Sequence, residues 1–130
     1  MAGGEPIGDL RVRHAPLRGI EVPVELVPDM IDEFPALFAA AACATGPTTV
    51  RGAAELRVKE SDRIAVMAAG LRGLGVPVRE HDDGATIDPA PLRAGAVASA
   101  GDHRCAMSFA VVSMICGMRR ASITASSPPR

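Results

Sequence analysis

The rhythm of apolar and polar positions changes along this chain, and each change marks an element. In the first thirty residues, Leu10-Arg11-Val12-Arg13 alternates with period two, as do residues 20–22 and 24–27, which predicts short, half-exposed strands. The period then becomes helical. Asp32 as N-cap, Pro35 in the first turn and Gly46 as a stop predict a helix over residues 33–44, with Leu37, Phe38, Ala41 and Ala44 on its buried stripe. Residues 48–51 read as a strand. Ser61 is the expected N-cap of a second helix, with Asp62 in its first turn and Ile64, Met67, Ala68, Leu71 and Leu74 at helical spacing up to Gly75. Residues 76–81 and 85–87, around Asp82-Asp83-Gly84, predict a β-hairpin. Residues 88–100, broken by Pro89 and Pro91, read as a loop. Asp102 opens a third helix whose expected inner face is Met107, Ala110, Val111, Met114, Ile115 and Met118, and residues 121–124 predict a closing strand.

Strand, helix, strand, helix, hairpin, helix and strand in that order make an α/β arrangement with helices against a sheet. The expected domain covers residues 1–125, and residues 126–130 form a loose tail with nothing to bury. At 130 residues and 48% apolar, the chain can build one core. It has no Trp or Tyr and only three Phe, so aliphatic and small side chains fill that core and base-stacking surfaces are lacking. Fourteen basic and fifteen acidic residues leave a net charge of −1, which offers no field for nucleic acid or an anionic membrane. The three cysteines lie in apolar stretches and read as reduced and buried, and no Cys/His spacing suggests a metal site. The first residues lack the apolar core of a secretion signal, so the expected location is the cytoplasm.

Charge is concentrated at the three helix starts: Asp32-Glu33, then residues 57–63, then Asp102-His103-Arg104. A helix N-terminus favours anions, so Lys59, Arg63 and Arg104 oppose the dipole unless an anionic ligand or carboxylate meets them. Phosphate and carboxylate ligands fit that requirement, with Arg gripping bidentately. The bland alternative is that Asp32, Ser61 and Asp102 are only N-caps and Asp62 pairs locally with Lys59 or Arg63. One test separates the readings. A shared anion site needs Arg63 and Arg104 to converge, whereas local pairing keeps them apart.

Residues 57–64, RVKESDRI, and residues 101–107, GDHRCAM, resemble two signatures of the 3-phosphoshikimate 1-carboxyvinyltransferase (EPSP synthase) family, and residues 28–35 resemble its upstream P-x-x-IDE-x-P segment. The resemblance covers about residues 4–118. It implies a partial C-terminal domain built from β-α-β-α-β-β units, with substrates held in a cleft against an N-terminal domain that these residues do not include. It implies enolpyruvyl transfer from phosphoenolpyruvate to shikimate 3-phosphate in the shikimate pathway, through a tetrahedral intermediate, with no cofactor and no metal. By the same resemblance, Asp32 contacts the shikimate ring and accepts a proton, Lys59 bridges the substrates and shares proton transfer, and Glu60 is acid and base at the methylene carbon. Arg63 and Arg104 bind phosphoenolpyruvate, while Asp102 and His103 support the loop. No role is carried to Arg57 or Glu55. A lysine among arginines is expected to have its ammonium form disfavoured, which suits a proton shuttle. Because the partner domain and a later lysine motif are missing, these residues are expected to be inactive alone. The alternatives are a non-catalytic anion-binding or interaction module, or the remnant of a broken gene.

Overall fold

The computed structural model describes residues 3–115 and 121–124. Its larger helices are α2 (Phe34–Ala42), α3 (Arg63–Gly73) and α4 (His103–Ile115), preceded by the single turn α1 (Val27–Met30). Strands β1 (Thr48–Val50), β2 (Val78–His81) and β3 (Gly84–Ile87) form an antiparallel sheet in the order β1-β3-β2. Strands β4 (Gly95–Ala98) and β5 (Ala121–Thr124) pair in parallel on either side of α4 in sequence. A parallel pair needs a crossover connection, and α4 lies within it. The architecture is mixed helix and sheet, as predicted.

The hairpin register runs from Val78↔Ile87 to His81↔Gly84, with Asp82-Asp83 as the two-residue loop. Gly84 is required for a steric reason. A Cβ there would lie 1.8 Å from the Val50 carbonyl oxygen.

Four expectations change. Residues 10–13 form no strand: Leu10 and Val12 are more than nine-tenths exposed, and alternation yields a strand only where a partner edge accepts its hydrogen bonds. Residues 17–22 do run beside residues 45–49, through single bridges at Arg18↔Thr45 and Glu21↔Thr49. Residues 24–30 are helical turns, with Pro28 in the first turn of α1, where its missing N–H costs nothing. The expected loop at 88–100 contains β4. Its small side chains carry no pattern, and Gly95 passes so close to α3 that a Cβ would sit 3.0 Å from the Gly73 carbonyl.

The fourth change is the orientation of α4. Cys105, Ser108, Phe109 and Val112 face inward, and Met107, Val111, Met114 and Ile115 are exposed. The helix is apolar on both sides, so periodicity could not choose between them. Packing against α2 and α3 does. Gly70 on α3 leaves the space that the Phe109 ring fills, since a Cβ at Gly70 would lie 2.1 Å from it. Met118 and Cys116 lie outside the described residues, as does the expected tail. Cys105 is buried and Cys43 half-buried, and neither is in a disulfide. The core runs continuously from Phe34 and Phe38 through Leu56, Ile64, Met67 and Leu71 to Val50 and Ile87.

Candidate active site

Helix α3 is reached through a 3-10 turn, Ala54–Val58, and an extended Lys59. Its N-cap is Asp62, whose side chain accepts from the Ala65 amide at 3.0 Å. Ser61, the expected cap, is one residue too early and turns elsewhere: its Oγ donates to Asp102 Oδ2 at 2.8 Å. Asp102 in turn caps α4, accepting from the amides of Arg104 at 3.0 Å and Cys105 at 3.3 Å. The chain enters that cap through Ala100 and Gly101, both at positive φ. One carboxylate thereby ties the starts of two helices that are far apart in sequence.

Arg63 sits in the middle of this junction, with its side chain 1% exposed. Its Nε donates to Asp102 at 2.8 Å, Nη1 donates to Asp32 Oδ1 at 3.2 Å, and Nη2 donates to Glu60. Burying a guanidinium is costly unless carboxylates surround it, and here three do. Asp32 is therefore not an N-cap. It lies in the 3-10 turn Ile31–Glu33 and makes no capping hydrogen bond. Its carboxylate meets Arg63 and, at 3.4 Å, Lys59 Nζ. Lys59 also meets Glu55 at 2.9 Å. Arg104 Nη1 donates to the Asp32 carbonyl at 3.2 Å and lies 3.5 Å from Glu33.

Arg63 and Arg104 thus converge on the same residue, Asp32, from two helices. Local pairing of each Arg with its own neighbouring Asp does not occur: Asp62 bonds Arg57 instead. The two arginines differ in access. Arg104 is 40% exposed and lines a cleft of about 400 Å³ with Asp32, Glu33, His103, Met107 and Ser108, whereas Arg63 is enclosed. His103 is exposed on that cleft.

Burial works to raise the Asp32 pKa, but the hydrogen bond from Lys59 and the charges of Lys59, Arg104 and Arg63 outweigh it and hold the group below the usual carboxylate range. Asp102 is likewise raised by burial and lowered further by Arg63, Ser61 and the Cys105 amide, with a net downward shift. Lys59 moves opposite to the expectation from its basic neighbours. The hydrogen bond to Glu55 is the largest influence, Asp32 adds to it, and the ammonium is stabilised. The arginines in the sequence motif face carboxylates, so Lys59 does not feel them unscreened. Cys105 is pushed up to about 12, chiefly by burial, which leaves an inert thiol.

The sequence gives two participants no part in the site. Glu55 belongs to no helix-start cluster, and its only signal is its i,i+4 spacing to Lys59. Ser61 was assigned a cap, because a cap and a cross-helix donor have the same sequence signature. Among the described residues, no group of three or more His, Cys, Asp and Glu could hold a metal, and no helix is long and apolar enough to cross a membrane.

The family model for EPSP synthase (3-phosphoshikimate 1-carboxyvinyltransferase) matches residues 3–126, slightly beyond the span over which the motifs alone carry the resemblance. A 3-phosphoshikimate 1-carboxyvinyltransferase of Xanthomonas campestris pv. campestris (strain B100) is 65% identical over 113 residues, covering 87% of this chain and 26% of the relative. One from Xanthomonas oryzae pv. oryzae (strain PXO99A) is 64% identical over the same coverage. An EPSP synthase structure from Acinetobacter baumannii superimposes with a TM-score of 0.75 at 47% identity, covering 85% of this chain and 26% of that one. The chain spans about a quarter of the length of these relatives.

Proposed function

The chain belongs to the EPSP synthase family, and from that premise we propose that it supplies part of the site that transfers the enolpyruvyl group of phosphoenolpyruvate to the 5-hydroxyl of shikimate 3-phosphate. The observation that carries this reading is the convergence of Lys59, Arg63 and Arg104 on Asp32 at the joined helix starts. Two cations on the Asp32 carboxylate and a third on its carbonyl suit two anionic substrates that must be held side by side.

In the reaction the hydroxyl oxygen bonds to the central carbon of phosphoenolpyruvate while the methylene carbon gains a proton. The tetrahedral adduct then loses that carbon's proton and expels phosphate. Asp32, held ionised by its cations, accepts the hydroxyl proton. Lys59 retains its proton and serves first as a positive bridge between the substrates. Glu60, 59% exposed on its side chain, enters the addition as a carboxylic acid: it gives its proton to the methylene carbon and takes one back from the resulting methyl group, while the proton on Asp32 leaves with phosphate. Arg104, open to the cleft, grips phosphoenolpyruvate directly. Arg63 reaches it only when Glu60 turns away from the guanidinium, and that movement brings the Glu60 carboxylate into play. Asp102 and His103 support Arg104. The remaining grip on shikimate 3-phosphate is expected from the rest of the relatives' length, and a phosphate-release assay on these 130 residues alone is expected to show no turnover.

The test is a graft. The matched 113 residues replace their counterparts in the Xanthomonas campestris relative, and phosphate release is measured with both substrates. Turnover that disappears with Glu60→Gln supports the reading. A folded graft without turnover, or turnover indifferent to Glu60→Gln, overturns it.

A further inference from the structure

The Arg57 guanidinium uses all three of its nitrogens in hydrogen bonds, yet it touches no group assigned to substrate. Its Nε donates to the Asp82 carbonyl at 3.1 Å and its Nη2 to the His81 carbonyl at 2.6 Å. Its Nη1 donates to Asp62 Oδ2 at 3.0 Å and Glu80 Oε1 at 3.1 Å. Glu80 is held from its other side by Arg72 at 3.3 Å. The hairpin tip also holds the chain just upstream: Asp83 accepts from Arg51 Nε at 2.7 Å and the Gly52 amide at 2.9 Å, and its carbonyl accepts from Ala53. The hairpin therefore anchors the segment before residue 54, and Arg57 anchors it again beside the cap of α3.

Between Arg57 and Asp62 lies the loop that carries Lys59 and Glu60. Apolar burial does not hold it, since Val58 is 79% exposed. We infer that Arg57 is a positioning residue, which fixes this loop against the β2–β3 hairpin so that Lys59 and Glu60 point at Asp32 and Arg63. The inference rests on the functional reading above for its catalytic consequence but not for its structural one. A planar fork serving four acceptors is a task for guanidinium. The lysine ammonium is a point charge that reaches only some of them.

Two measurements test it. In the 130-residue chain, amide hydrogen exchange at residues 59–61 accelerates in Arg57→Lys while the middle of α3 is unchanged. In the grafted enzyme, Arg57→Lys lowers kcat on the order of 10²-fold, the cost of a misplaced catalytic group, with little change in KM for phosphoenolpyruvate. Glu80→Gln, a milder cut of the same clamp, gives a smaller loss of the same kind and guards against misfolding of the first variant. Unchanged exchange at residues 59–61, or a kcat in Arg57→Lys equal to that of the parent graft, overturns the inference. If the parent graft has no turnover, the functional reading fails, and the exchange experiment still decides whether Arg57 holds the loop.

Discussion

Asp102 and Arg63 are both fully enclosed, at 0% and 1% side-chain exposure, so their charges depend on one another for solvation. Removing one partner of a buried pair costs about 3–5 kcal/mol. Asp102→Asn is expected near the lower end, about 3 kcal/mol, because Asp32 and Glu60 still face Arg63. The shift of the urea midpoint at neutral pH measures it. The same ion pairs set an acid limit. Asp32 and Asp102 have folded pKa values below their unfolded ones, so the stability they add is complete above the unfolded values. It is lost as pH falls through the carboxylate range, below about pH 5. Thermal unfolding followed from pH 7 to 3 should show a steep loss in the parent chain and a shallower one in Asp102→Asn.

At the scale of elements, the cap of α3 and the α3–α4 contact are separable. Asp62→Ala removes the acceptor of the Ala65 amide and costs about 1 kcal/mol for the cap, in addition to freeing Arg57. Ser61→Ala leaves that cap intact and severs the link to Asp102 instead. Amide exchange at Ala65 should therefore rise in Asp62→Ala and stay near the parent value in Ser61→Ala. Where α3 crosses α4, Gly70→Ala drives a methyl group into the Phe109 ring, and overpacking of this kind costs about 1–3 kcal/mol despite the better helix propensity of Ala. If denaturant unfolding showed a gain in stability, the close approach of the two helices would be wrong.

For the molecule as a whole, one face remains apolar and open. Met107 is 64% exposed, Met114 79%, and Val111 and Ile115 lie beside them on α4. Contiguous apolar surface of this kind promotes association. The isolated chain is expected to self-associate at micromolar concentration in sedimentation measurements. The double change Val111→Lys and Met114→Lys should shift it towards monomer without unfolding it, because neither side chain enters the core.

Much of this was legible in the linear order of residues. The helices at α2, α3 and α4, the hairpin and the closing strand follow from local period, turn chemistry and breakers, which act over a few neighbouring residues. Residues 28–35, 57–64 and 101–107, read as motifs, pointed to the family and to Asp32, Lys59, Glu60, Arg63 and Arg104 as candidates. What local pattern could not determine depends on partners distant along the chain. The inner face of α4 was decided by Gly70, and β4 by β5 across the α4 crossover. Ser61 yielded its expected cap to Asp62 because Asp102, 41 positions on, offered it a carboxylate. Lys59 kept its proton because folding brought Glu55 and Asp32, rather than bare arginines, to its ammonium. Charge interactions depend on distance in space, and only the tertiary structure sets those distances.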